Sequence, residues 1–272
     1  MAINDGHRED ALGPDKPSGQ LALEVSDLRV TYGPTVAVQG VSFSINEGEI
    51  FGLLGPNGAG KTSTLSAIEG LVKPESGSIK VDGIDARIRP LDVRARIGVQ
   101  LQSTSFQKEL TIRELVRLYS GLYGASRSKS AADEHLAAAH LDEEAGKRFG
   151  QLSGGQQKRL ALLIATVGDP SLVLLDEPTA GLDPQSRRQL WERIEHMRQL
   201  GRSVLLTTHS MEEAQSVCDR VAIIDHGKIV SLDTPAGLIA KHRNDPQVKK
   251  VARGKVTLED VFIGLTGSEL RD

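Results

Sequence analysis

An α/β fold built around a parallel sheet follows from three observations on this 272-residue chain. The apolar run Ile50-Phe51-Gly52-Leu53-Leu54 leads through a Gly-rich loop into a helical stretch, the order of a strand–loop–helix unit. After Gly168, short apolar strands alternate with helical stretches, the pattern of a parallel sheet with crossover helices. The length suits one large domain, with at most a small appendage.

Order is expected from Leu21 onward. Met1 to Gln20 mixes Asp, Gly, Pro and Lys without an apolar core, and reads as a disordered arm and not a secretory signal. Leu21–Val25 and Leu28–Thr31 alternate as strands do, and Val36–Ile45 repeats that pattern around Gly40. Asn46-Glu47-Gly48-Glu49 is a turn into the strand Ile50–Leu54, and the helix beyond the Gly-rich loop runs from about Lys61 to Leu71. Ser78–Val81 is a strand ending at an Asp82-Gly83 turn, and Ile97–Leu101 is another. From Ser103 to Gly168 the pattern turns helical. Thr111-Ile112-Arg113-Glu114 is a capping box, followed by Leu115, Leu118 and Leu122 on one helical face. Ala131–His140 is a short Ala-rich helix.

Beyond Gly168, Leu172–Asp176 and Val204–Thr208 are strands, and Pro184–Leu200 and Met211–Val217 are helices. Val221–Ile224 and Ile229–Leu232 form a hairpin across Asp225-His226-Gly227-Lys228. Thr234-Pro235 caps and begins a short helix. Lys241 to Lys255 carries six basic residues and one acid and reads as a linker; an amphipathic helix with Leu258, Val261, Phe262 and Leu265 on one face follows. The expected division is an arm over 1–20, a main domain over 21–232 with a helical part over about 103–168, and a C-terminal extension over 233–272.

Composition narrows the function. With 33 Lys+Arg against 36 Asp+Glu the net charge is −3, which argues against a polybasic nucleic-acid binder. Aromatics at 3% leave little for base-stacking platforms. One Cys excludes an intrachain disulfide and a Cys-rich zinc site. No apolar stretch reaches the roughly 18 residues of a spanning helix, so a task at a membrane would need another component to hold the chain there.

The chemistry concentrates in two places. Gly55-Pro56-Asn57-Gly58-Ala59-Gly60-Lys61-Thr62 fits G-x-x-x-x-G-K-[ST] between a buried strand and a helix. Its glycines let successive backbone N–H groups face phosphate oxygens, and the helix N-terminus adds partial positive charge. Lys61 would reach the β- and γ-phosphates and the Thr62 hydroxyl a Mg²⁺ ion, with Ser63 next in the loop. A Gly-rich turn alone would not explain the strand–loop–helix context. Asp176 and Glu177 close the apolar strand Leu172–Leu175 at the edge where open α/β sheets bind ligands. Asp176 would hold Mg²⁺, and Glu177 would polarise the attacking water as general base. Without the phosphate loop, a strand-end carboxylate reads as a cap or a solvated turn.

Leu152-Ser153-Gly154-Gly155-Gln156 is the signature of the ATP-binding cassette (ABC) ATPases, and the motifs of Leu21 to Leu232 resemble that family in order and kind. The resemblance implies an ABC cassette: a RecA-like parallel-sheet core, an N-terminal antiparallel β-subdomain and a helical signature subdomain. It implies ATP and Mg²⁺ as cofactors. The signature residues Ser153, Gly154, Gly155 and Gln156 would face the γ-phosphate bound by another copy, in a head-to-tail homodimer or a pair with a homologous ATPase. By the residues alone, Ser153 and Gln156 also read as a plain helix cap. In the family pattern Gln102 matches the glutamine sensing Mg²⁺ and the attacking water, and His209 the switch histidine at the γ-phosphate. Tyr32 matches the aromatic on adenine, and Asp183 the loop crossing the dimer interface. Asp183 before Pro184 is equally an N-cap.

A lone ABC cassette without insertions resembles transporter subunits more than the tandem cassettes of translation or DNA repair. The implied partner is an integral-membrane permease, the implied location the cytoplasmic face of the cell membrane, and no nucleic acid is expected. Phe106, Leu110 and Leu115 are candidates for lining a groove for the permease's coupling helix, although core packing explains Leu115 equally well. Thr257-Leu258-Glu259-Asp260-Val261-Phe262-Ile263-Gly264-Leu265-Thr266-Gly267 resembles the tail of daunorubicin-resistance-type export ATPases. That implies an exporter of drug-, antibiotic- or lipid-like substrates. An importer, a cell-envelope transporter and a non-transport ABC ATPase stay open as alternatives. Cys218 reads as a packed thiol, Trp191 as packing its helix on the sheet, and His226 as a turn residue. His135 and His140 are not at a recognised metal-ligand spacing.

Overall fold

The computed structural model describes residues 20–100 and 106–267. Its first elements, β1 (Leu21–Tyr32) and β2 (Thr35–Asn46), form an antiparallel hairpin across Gly33-Pro34. β3 (Ile50–Leu54) leads into α1 (Lys61–Ile68). β4 (Ser76–Val81) pairs with β1 and turns through Asp82 (φ 48°) and Gly83 (φ 75°) into β5 (Ile84–Asp85). Two successive positive φ values suit a type I′ turn, for which Asp-Gly is a favoured pair. These strands make an antiparallel sheet in the order β2-β1-β4-β5.

After α2 (Pro90–Arg94) and β6 (Ile97–Gln100) comes the helical region, α3 (Ile112–Leu122), α4 (Lys129–Ala138) and α5 (Gly154–Thr166). The chain then alternates β7 (Leu172–Asp176), α6 (Pro184–Gln199), β8 (Ser203–Thr208), α7 (Met211–Val217) and β9 (Arg220–Asp225). It closes with β10 (Lys228–Asp233), α8 (Pro235–His242), α9 (Pro246–Val251) and α10 (Leu258–Thr266). The second sheet has the order β10-β9-β3-β8-β7-β6, parallel except for the β9–β10 hairpin. None of the helices among the described residues is long and apolar enough to cross a membrane.

Because a strand's side chains alternate, one apolar run feeds two cores. Phe51, Leu53, Leu174 and Leu205 join α1 and the antiparallel sheet in the first. Ile50, Leu54, Val173, Leu175, Val204 and Leu206 join α6, α7 and the C-terminal helices in the second. A third core lies inside the helical region. Strands buried on both faces are fixed in register, so their C-terminal ends, which carry Gly55, Glu177 and His209, are held at one edge.

Several expectations need correction. The linker over 241–255 contains α9, capped by Asp245 and started by Pro246, with Val248 fully buried. A Cβ on Gly264 would stand 2.7 Å from the Val248 side chain, so α9 and α10 meet at a position where only glycine fits. On α3 the buried side is Ile112, Leu115, Val116 and Ser120, while Leu122 is 70% exposed in the last turn. Phe106 and Leu115 do not line a groove: Leu115 is fully buried, and Phe106 packs edge-on against Tyr119 and Phe149. Leu110 is partly buried on that same core, which needs these apolar side chains to exist apart from the sheet. The short elements α2 and β5 have too few residues to show a period in the sequence. Of the arm expected over 1–20, residues 1–19 lie outside the described residues, as do the segment 101–105 and residues 268–272.

Candidate nucleotide site

The loop Gly55–Lys61 is shaped by close backbone approaches. A Cβ on Gly55 would lie 2.4 Å from the Ile224 carbonyl oxygen, and one on Gly60 would lie 2.5 Å from that of Ala37. Gly58 and Gly60 take φ of 81° and 104°, open to glycine and strained for other residues. The Gly227 N–H donates to Ala59 O at 2.9 Å, so the β9–β10 turn props the loop from outside. Asn57 and Gly58 stay exposed at the tip, Pro56 is half-buried, and Ala59 is packed beneath. Thr62 is exposed and Ser63 half-buried in the first turn of α1.

Lys61 is 5% exposed; its Nζ donates to Gly55 O (2.7 Å) and Pro56 O (3.2 Å) and stands 3.5 Å from Glu177 Oε1. Burial holds its pKa below the usual lysine range, against the raising influence of Glu177 and Asp176. The Asp176 carboxylate accepts from Thr207 Oγ1 (2.5 Å) and Thr62 Oγ1 (3.2 Å). The Glu177 N–H donates to the Thr207 hydroxyl at 3.0 Å. Glu177 Oε1 also lies 3.4 Å from His209 Nδ1. Of the described non-glycine residues with positive φ, Glu177 (45°) alone is neither Asp nor His, the types that tolerate it best. Such a conformation is retained when its surroundings over-determine it, and here it follows directly on a buried strand.

The structure therefore brings Lys61, Thr62, Asp176, Glu177 and His209 together. It leaves the signature elsewhere. Ser153 caps α5 in a capping box with Gln156, whose Nε2 donates to Glu144 Oε1 at 2.8 Å. Ser153 and Gly154 are exposed, and Gly155 abuts Ser186. Asp183 accepts from the Gln185 and Ser186 N–H groups and the Ser186 hydroxyl, bonds that hold its pKa below the usual range. Tyr32 ends β1 at 48% exposure, on the hairpin whose Ala37 touches Gly60. Gln102 lies outside the described residues.

Three residues escaped sequence reasoning. Glu69, just after α1, has its pKa pushed up to about 7, first by burial and then by the charge of Asp176. Lys158 on α5 is lowered by burial while Asp176, Glu177 and Glu213 act to raise it. Glu213 was legible only as the last member of a capping box. Its N–H does donate to Ser210 Oγ at 3.3 Å, but its carboxyl turns inward to accept from Trp191 Nε1 at 3.2 Å. Trp191 accordingly ties α6 to α7, while Leu190, Ile194 and Met197 pack α6 on the sheet. Cys218 is a packed thiol, and a Cβ on Gly52 would lie 2.8 Å from its Sγ.

Backbone amides at a helix N-terminus, a buried lysine and a carboxylate pair at the end of β7, separated from β3 by β8, define a P-loop nucleotide-binding cassette. The family described as ABC transporter matches residues 38–180. The chain is similar to the Nod factor export ATP-binding protein I of Sinorhizobium fredii, 35% identical over 98% of this chain and 92% of that protein. Among solved structures, an ATP-binding subunit of an ABC transporter superposes with a TM-score of 0.78 at 28% identity, covering 90% of this chain and 99% of that one. The ATP-binding cassette MJ0796, described as dimeric in a post-hydrolysis state bound to ADP and Pi, superposes with a TM-score of 0.71 at 27% identity over 78% of this chain and 98% of that one. The chain belongs to the ABC transporter family, as an ATP-binding and ATP-hydrolysing subunit.

Proposed function

We propose that this subunit powers an exporter, working as half of a head-to-tail dimer on an integral-membrane permease at the cytoplasmic face of the membrane. The observation that carries the ATPase chemistry is the convergence of Lys61, Asp176, Glu177 and His209 at adjacent strand ends. In this reading the N–H groups of the Gly55–Ser63 loop receive the phosphates, and Lys61 neutralises the β- and γ-oxygens. The Thr62 hydroxyl and Asp176 carboxylate are hard oxygen donors 3.2 Å apart, a set that fits Mg²⁺. That ion would offset charge on the phosphates, and Gln102 would be the residue that senses it, as the family pattern implies. Glu177 accepts a proton from the attacking water as the new P–O bond forms and the bond to the ADP leaving group breaks. His209 steadies the γ-phosphate and Tyr32 stacks on the base.

Ser153, Gly154, Gly155, Gln156 and Asp183 act across the dimer interface in this reading. The exposure of Ser153, Gly154 and Asp183 and the internally satisfied caps support it, as does the dimeric state described for MJ0796. Export is supported by the name of the Sinorhizobium relative. The resemblance of residues 257–267 to daunorubicin-resistance-type ATPases supports a drug-, antibiotic- or lipid-like substrate. Residues 21–232 would be the cassette and 233–272 its extension. The test is Glu177→Gln: it keeps ATP binding, loses turnover at least 100-fold and accumulates an ATP-bound dimer in size-exclusion chromatography. Normal turnover in that variant removes Glu177 as the base.

A further inference from the structure

The Glu213 carboxyl is a buried acid that the chemistry above does not use. Its exposure is 0%, and Oε2 is enclosed without a geometrically sound hydrogen bond. A carboxyl in such a place is costly unless it is bonded, and an apolar side chain of equal size would pack α7 without that cost. What distinguishes the position is its neighbours. The Glu213 N–H donates to Ser210 Oγ, and the Ser210 N–H donates to Thr208 Oγ1 at 2.9 Å, so both residues flanking His209 belong to one bonded turn. Trp191 Nε1 holds the carboxyl from α6. The Thr179 hydroxyl faces it from the segment that starts at Glu177, where the Ala180 N–H donates to Glu177 O and the Leu182 N–H to Thr179 O. Lys158 from α5, Arg187 from α6 and Cys218 after α7 are the other titratable groups that sense its charge. Burial favours the protonated form, which can donate as well as accept.

We propose that Glu213 is a positioning residue for ATP hydrolysis: it holds the turn that carries His209 in register with the loop that carries Glu177. The inference rests on the roles assigned to those two residues above. A shift of about 1 Å in a catalytic group is enough to cost orders of magnitude in rate, so a rigid joint between two catalytic loops has a kinetic consequence that simple packing lacks.

The experiment is a double-mutant cycle on ATPase kinetics with thermal melting alongside. Glu213→Ala is expected to lower kcat about tenfold with KM for ATP changed less than twofold, and Glu213→Gln, which keeps the shape and a donor, to recover most of that loss. In a His209→Ala background, Glu213→Ala should cost less than twofold further, because the residue through which it acts is gone. Trp191→Phe removes only the indole N–H and should give a smaller loss with the same non-additivity; it replaces Glu213→Ala in the cycle should that variant fail to fold. Equal losses with and without His209, or a kcat unchanged in Glu213→Ala, overturn the proposal while leaving the parent reading intact. Full turnover in His209→Ala alone sinks the role of His209 and this proposal with it.

Discussion

The strand-end cluster and the signature helix both present polar groups suited to phosphate, and they satisfy those groups in different ways. At the strand ends, Glu177 pairs with Lys61 and His209, Thr207 bonds both Glu177 and Asp176, and Glu177 is only 11% exposed. At the signature, Ser153 and Gln156 cap their own helix, and Asp183 caps the next, while Ser153, Gly154 and Asp183 face solvent. A cluster held by mutual contacts across β3, β7 and β8 exists only in the folded core. A capped helix end is complete by itself, so its spare amides are offered outward. The first arrangement suits binding within one chain, the second a partner's nucleotide.

Lys61→Ala should separate the two regions most strongly. This variant is expected to lose about 100-fold in ATP affinity, measured by calorimetry, because it removes the only cation bonded within the loop among the described residues. Unchanged affinity would refute the phosphate-loop assignment. Gly154→Asp should act on the other side alone. No atom lies within 4 Å of a Cβ there, so the fold accommodates the side chain, while the carboxylate repels a phosphate. Turnover should fall about tenfold with ATP affinity of the single subunit unchanged; a parallel loss of affinity would place the signature in its own chain's site.

Two smaller effects sharpen the contrast through stability. Glu69 has a folded pKa of about 7 against 4.5 for a free carboxyl. Its contribution to stability is complete below about pH 4.5 and lost as pH rises through 7, since the fold favours the protonated form. Glu69→Gln should therefore match the wild type near pH 4.5 and exceed it by about 1–2 kcal/mol at pH 8, read from denaturant midpoints without nucleotide. A gain independent of pH would remove the crowding of Glu69 by burial and Asp176. Ser153→Ala should cost about 1 kcal/mol or less by loss of a cap, with ATP affinity unaltered. A loss of affinity there would again join the two regions.

Much of this was legible beforehand because its signals are local. The capping boxes at Thr111 and Ser153, the Asp183-Pro184 start of α6 and the His226-Gly227 turn each depend on a few adjacent residues. Burial of β3, β7 and β8 was readable from unbroken apolar runs. Errors arose where a side chain's role depends on what crosses it. Lys241–Lys255 looks solvated by charge, yet Val248 docks against Gly264. Leu122 continues a periodic stripe past the point where α3 meets its neighbours. Glu213 fits a capping box by spacing, and only in the folded chain do Thr208, Trp191 and Thr179 meet its carboxyl inside.

The family, the phosphate loop and the order of the longer strands and helices were readable from the chain alone, since these follow from motif, period and cap chemistry, whereas α2, β5 and α9 were not. The tertiary structure decided which charges share a site. It set Lys61 against Glu177, crowded Glu69 by Asp176, and placed Glu213 beneath the loops of Glu177 and His209. The first two relations join residues more than a hundred positions apart and the third joins separate loops and helices, and their energies depend on burial and distance, neither of which exists until the sheet has closed.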